Sequence, residues 1–229
     1  MKNFAGLLKA SHFGPTLIVT SISTLLALYL GMGAKTPLVA LGVFTGQLLV
    51  GWSNDLIDYQ DDLKHKRIHK PLVSGELDSN LLRHWLILML PISFLANLAG
   101  PLGIKGGLTY MLGILFGVAY NFYFKFSPLS PLAYAIAFAA LPASIALGAG
   151  ITPPIWLTIG GAIFGVSAHF VNVLKDMSED RVSGIGGLPQ RLGMKGSIIA
   201  ALICLIAGLI FLVATFETPM TRTLTKFYY

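Results

Sequence analysis

Apolar runs of membrane-spanning length constrain this chain more than anything else in it. Seven of them occupy roughly residues 14–34, 37–53, 83–101, 104–124, 129–149, 154–173 and 196–216. A helix needs ~20 apolar residues to cross the hydrocarbon core of a bilayer. Only 11% of the residues are charged and 55% are hydrophobic, whereas a soluble domain carries about a quarter charged residues. Lipid must therefore cover much of the surface. Closed helices satisfy the backbone in that setting, and runs this long do not suit β-barrel strands. The expected fold is all-α: a multi-span transmembrane bundle forming a single domain over residues 1–229. Small residues such as Gly113, Gly117, Gly160, Gly161 and Gly165 let the helices approach closely.

Basic residues set the expected orientation. With the N-terminus placed in the cytoplasm, twelve of the sixteen Lys and Arg residues fall inside. Seven spans then put the C-terminus outside. The first apolar run lacks an A-x-A cleavage site, so no cleavable signal peptide is expected. The formal net charge of +6 is read as attraction to anionic headgroups and substrate phosphates; no nucleic-acid motif is present. The lone Cys204 lies in an apolar run and is read as a small packing residue.

The positive-inside rule says little about acids, so their distribution is informative. Nine of the ten Asp and Glu residues fall on the cytoplasmic side, in the loops 54–82 and 173–195. In the first loop, Asn54, Asp58 and Asp62 share a face if the second helix continues past the membrane, with Asp55 beside them. Asp61 is out of phase and is read as a bystander. In the second loop, Asn172, Asp176 and Asp180 repeat the i, i+4, i+8 spacing on the end of the sixth helix; Glu179 is left out of the set. Basic Gly/Pro loops follow both clusters, which suggests two pseudo-repeated halves. A single acidic run after a span is usually a solvated helix end. Two such runs on one side suggest hard-oxygen ligation of Mg²⁺, which takes one or two carboxylates and fills its other positions with water and phosphate oxygens. Lys70 and Lys175 lie close enough to the clusters to neutralise a bound phosphate.

The stretch N54-D-L-I-D58-Y-Q-D-D62 resembles the N-D-x-x-D-x-x-x-D motif of the UbiA superfamily of intramembrane prenyltransferases. K70-P-L-V-S-G75 resembles its R-P-L-x-S-G loop. D176-M-S-E-D180-R-V-S-G184 with G187-L-P-Q-R-L-G193 resembles its second motif and L-P-x-R-L-G tail. The resemblance covers residues 5–216 and implies a bundle around a lipid-accessible central cavity. It also implies two Mg²⁺ ions between the motifs and a polyprenyl diphosphate donor. Asn54, Asp55, Asp58, Asp62, Asp176 and Asp180 then become the metal set, with Asp58 and Asp176 catalytic. Lys70, Lys125, Lys175, Arg181 and Tyr120 become the diphosphate contacts. Tyr120 and Lys125 stand one residue further apart than the family's Tyr-x-x-x-Lys element. Lys9 and His12 are candidates for a basic residue that the family often carries near the N-terminus, and His12 is read as interfacial.

The implied activity is Mg²⁺-dependent prenyl transfer to a lipophilic, electron-rich acceptor, with aromatic residues such as Phe44, Phe116, Phe138 and Phe164 along the tail channel. Phosphoribosyl transfer to a polyprenyl phosphate is the alternative. CDP-alcohol phosphotransfer needs D-x-x-D-G, and Tyr59 follows Asp58. An ion-handling protein would carry acids mid-span rather than at span ends. Family members usually have nine spans, and this chain has room for seven. That implies a compact member, a wall supplied by a partner, or a shortened, non-catalytic protein that binds isoprenoid diphosphate. Residues 217–229 read as a polar tail.

Overall fold

The computed structural model describes residues 2–216. The expected polar tail and the outside C-terminus lie beyond the described residues. The described chain is helical throughout its elements: α1 (Lys2–Ala10), α2 (Phe13–Tyr29), α3 (Thr36–Lys64), α4 (Ser79–Leu98), α5 (Gly103–Phe122), α6 (Ser130–Gly148), α7 (Ile155–Leu174), α8 (Met177–Val182) and α9 (Leu188–Phe216). Six helices are long and apolar enough to cross a membrane, and the α1–α2 pair, bent by 63°, makes a seventh if it is one span.

The starts of these helices follow from local chemistry. Pro37 and Pro131 sit in the first turns of α3 and α6, where a missing N–H costs nothing. Asp78 caps α4, its carboxylate accepting from the N–H groups of Asn80 and Leu81 at 2.9 and 3.0 Å.

α3 is the axis of the bundle, and of the spanning helices it is the most buried. Three neighbours press against small residues on it. Tyr110 of α5 covers Gly46 and donates its hydroxyl to the Val43 carbonyl at 2.7 Å. Asn97 of α4 covers Gly42 and donates to its carbonyl at 3.0 Å. At the α1–α2 elbow, the Ser11 carbonyl lies so close to Gly51 that an added Cβ would stand 2.5 Å from it. Trp52 fixes the same elbow by donating to the Leu7 carbonyl at 3.0 Å. Because lipid removes the hydrophobic drive between helices, this close packing and these bonds set the arrangement. Beyond α3 the chain packs in sequence, α5 on α6, α6 on α7 and α7 on α9. Gly161 and Gly165 of α7 lie against Phe138 of α6.

Two expectations about elements need correction. Asn172, Asp176 and Asp180 do not lie on one continuous helix. α7 stops at Leu174, the Asp176 N–H turns back to the Val173 carbonyl, and α8 starts separately. Asn172 therefore turns away and donates to the Tyr134 hydroxyl at 3.1 Å. Asp176 and Asp180 keep their one-turn spacing, since the Asp180 N–H bonds the Asp176 carbonyl at 2.8 Å. The last span also begins earlier than expected. The L-P-Q-R-L-G tail is its first part, kinked at Gly193, whose φ is 71°.

Candidate active site

The second helix does run on past its apolar stretch, to Lys64, and this carries the first acidic motif out as a helical face. Asn54 donates from Nδ2 to Asp58 Oδ2 at 3.1 Å and to Asn121 Oδ1 at 3.2 Å. Asn121, in the last turn of α5, is itself held by the Val50 carbonyl and Ser53. Both Asn54 amide protons are thus engaged, which leaves its carbonyl oxygen for a cation.

Each carboxylate of the motif faces its own cation. Asp58 is paired with Lys125, which is buried. Asp62, also buried, is paired with Arg67 at 2.6 Å. Asp55 points toward the elbow, where Lys70 lies 3.0 Å and His12 Nε2 3.3 Å from its Oδ1. His12 reaches it because Gly51 seats the elbow one helical turn before Asp55. His12, expected as an interfacial residue, is therefore part of the motif's surroundings. Lys9 instead pairs with Glu76 at 2.6 Å. Burial works against the charge on Lys70, but Asp55, Asp62 and Asp58 outweigh it and hold its ammonium above the usual lysine range.

The Tyr120–Lys125 spacing has a structural explanation. α5 ends at Phe122, Tyr123 leaves helical geometry (φ −131°, ψ −55°), and Phe124–Phe126 form a 3₁₀ turn. The extra residue is absorbed in that break, and Lys125 swings back onto Asp58. Tyr120 stacks edge-on against Tyr134 (5.2 Å between centroids) and His169 (5.5 Å). It lies within electrostatic reach of Asp58, Asp176 and Asp180. Phe138 continues this aromatic column, 6.0 Å from Tyr134.

The second motif is less compensated. Asp180 accepts from Gln190 at 2.7 Å. Burial is the main force pushing its carboxyl up to about 6, and neighbouring Asp176 pushes the same way against Gln190, Lys125 and Arg67. Asp176 is half exposed and has only Lys175 nearby, at 3.9 Å. Arg181 is exposed and forms no ion pair among the described residues.

Three residues left out of the site on sequence grounds connect its two motifs. Asp61 is no bystander: it accepts from Ser183 at 2.5 Å and faces Arg67 at 3.4 Å. Glu179 faces Arg67 at 3.2 Å. Arg67 touches both motifs. Its signal in the sequence was position alone, one basic residue among several after α3.

The donor set fits Mg²⁺. Among the described residues no three His, Cys, Asp or Glu side chains gather closely enough to hold a metal by themselves. Mg²⁺ does not require that, because water and phosphate oxygens complete its shell. The Asn54 carbonyl and the Asp176–Asp180 pair, which has only a 3.9 Å contact from Lys175 and the more distant charges of Lys125 and Arg67 against it, are hard oxygen donors.

The sequence profile of the UbiA prenyltransferase family matches residues 16–225. The chain therefore belongs to the UbiA prenyltransferase family and is an enzyme of that class. Solved structures agree on the fold. A UbiA homologue from Archaeoglobus fulgidus bound to GPP and Mg²⁺ aligns with TM-score 0.76 at 18% identity, covering 97% of this chain and 82% of that one. A UbiA homologue from Aeropyrum pernix K1, without ligand, gives 0.71 at 19% identity, covering 95% and 80%. A digeranylgeranylglyceryl phosphate synthase gives 0.68 at 20% identity, covering 98% and 79%. No curated protein matches.

Proposed function

We propose that this protein transfers a prenyl group from a polyprenyl diphosphate to a lipophilic, electron-rich acceptor, in a Mg²⁺-dependent reaction at the cytoplasmic face of the membrane. The observation that carries this reading is the meeting of the two acidic motifs around Lys125 and Tyr120. The A. fulgidus relative binds GPP and Mg²⁺, which supports the same donor class and metal here.

Asn54, Asp58, Asp62, Asp176 and Asp180 would hold the metal, two ions by family resemblance. When bound, Mg²⁺ neutralises and polarises the departing diphosphate. Lys125 and Lys70 add fixed positive charge beside it. Asp55, whose Oδ1 is held by Lys70 and His12, stands beside this set and seats Lys70. Lys175 and Arg181 are exposed and would meet the diphosphate from the loop side. The allylic C–O bond breaks with its electron pair leaving on the diphosphate, and the acceptor attacks the electron-poor carbon. The faces of Tyr120, Tyr134 and Phe138 stabilise positive charge there. The helical walls exclude water that would otherwise capture the cation. The acceptor's proton then leaves to the diphosphate or to solvent.

The test is transfer of label from radiolabelled geranylgeranyl diphosphate to a lipid-extract acceptor by membranes containing the protein. Label should transfer with Mg²⁺ and not with EDTA, and Asp58→Ala and Asp176→Ala should each abolish it. Full transfer by either variant overturns the site assignment, and equal transfer in EDTA overturns the metal role.

A further inference from the structure

The six-residue α8 and Asp176 just before it carry half of the acidic site, and the α8 backbone packs on α9. What joins it to the first motif is a set of side chains. α3 ends with Lys66 in the left-handed region (φ 54°), the Lys66 N–H on the Leu63 carbonyl and the Arg67 N–H on the Asp62 carbonyl. This helix stop reverses the chain and turns the Arg67 side chain back along α3. All three guanidinium nitrogens are then used. One terminal nitrogen donates to Asp62 at 2.6 Å and faces Asp61 at 3.4 Å. The other donates to the Glu179 carbonyl at 3.1 Å and to the Ser183 hydroxyl at 2.5 Å. Nε faces the Glu179 carboxylate at 3.2 Å. Ser183 closes the circuit by donating to Asp61 at 2.5 Å.

We propose that Asp61, Arg67 and Ser183 form a clamp that sets the separation of the two acidic motifs, acting as positioning residues for the metal and diphosphate site. This rests on the prenyltransferase reading above. The two loops carry Asp58, Asp61 and Asp62 against Asp176, Glu179 and Asp180, like charges that repel when brought together. The Arg67 side chain is 12% exposed and its Asp62 partner is buried, so that bond is weakly screened, and its planar fork fixes direction as well as distance. A groove of about 450 Å³, lined among others by His65, His69, Ser178 and Val182, runs along the same seam. That open space leaves the clamp to hold the two loops together.

The experiment uses the full chain with Cys204→Ser and spin labels at Lys64→Cys and Ser178→Cys, both exposed positions. Inter-label distance is measured by pulsed electron resonance in EDTA, and affinity by Mn²⁺ titration. The unmodified clamp gives one narrow distance. Arg67→Lys, which keeps the charge and loses the fork, and Ser183→Ala broaden it and weaken Mn²⁺ binding roughly tenfold, the scale of lost outer-shell support. Ser183→Thr restores both. Narrow distances and unchanged affinity in Arg67→Lys and Ser183→Ala overturn the clamp. Should Arg67→Lys fail to fold, Ser183→Ala against Ser183→Thr decides. The distance readout needs no donor, acceptor or metal. A clamp that behaves as stated in a protein that transfers no prenyl group therefore overturns only the functional reading.

Discussion

Asp180 carries the least balanced charge in the site, and its pH behaviour reports on that. Its carboxyl sits at about 6 in the folded protein against 3.8 ordinarily. A carboxyl raised in the folded state favours the folded protein most when protonated. Its stabilisation is therefore complete below 3.8, is lost as pH rises toward 6, and stays absent above. In EDTA the protein should lose thermal stability between pH 4 and pH 7, and Asp180→Asn should flatten that part of the profile relative to the parent. Divalent metal should shrink or reverse the parent's loss, because it binds the folded carboxylate more tightly as pH rises. A parent and an Asn variant with parallel melting curves across this window would contradict the assignment. The i, i+4 rule placed Asp180 next to Asp176 correctly. It had no way to supply Gln190, ten residues on, whose place depends on how the L-P-Q-R-L-G tail folds into α9.

At the scale of single elements, the nine acids of the two motif loops divide into different jobs. Asp78 is a helix cap and Glu76 a partner for Lys9, so neither belongs to the site even though both lie in its loop. Asp78→Ala should lower stability by about 1 kcal/mol, the ordinary loss of a cap, and leave Mn²⁺ affinity unchanged. A matching loss of metal binding would return Asp78 to the site. Helix periodicity made α3 legible: Asn54, Asp58 and Asp62 fall on one face because the helix really extends to Lys64. The same periodicity failed on α7, because a helix end is decided by a backbone turn at Asp176 that the acids' spacing does not encode. Asp61 failed for a related reason. Being out of phase with the metal-facing side means facing somewhere else, and its partner Ser183 lies 122 residues away.

At the scale of the molecule, apolar run lengths anticipated the long helices closely: among the described residues six are long and apolar enough to span, with a bent α1–α2 pair beside them, where seven runs were expected. What they missed was the elbow at Ser11–His12. Gly14 and Pro15, just after it, are its mark, since Pro15 has no N–H to carry a helix on from the Ser11 carbonyl; His12 is left-handed (φ 50°) as α1 folds down onto Gly51 and Trp52. The elbow also bears on topology. The N-terminus shares the motif side only if α1 and α2 together make one crossing; four spans, α4 to α7, separate the loops after α3 and α7, so these share a side either way, and the loop between α4 and α5 faces the other. Single cysteines at Ser74, Ser178 and Lys105, all exposed, in a Cys204→Ser background, report this directly. In intact cells a membrane-impermeant maleimide should label Lys105→Cys at once, and Ser74→Cys and Ser178→Cys only after permeabilisation, as the bias of basic residues toward the motif side requires. Opposite labelling of Ser74→Cys and Ser178→Cys would separate the two acidic motifs across the bilayer. That would dismantle the shared site, because Arg67 cannot bridge loops on different faces of a membrane.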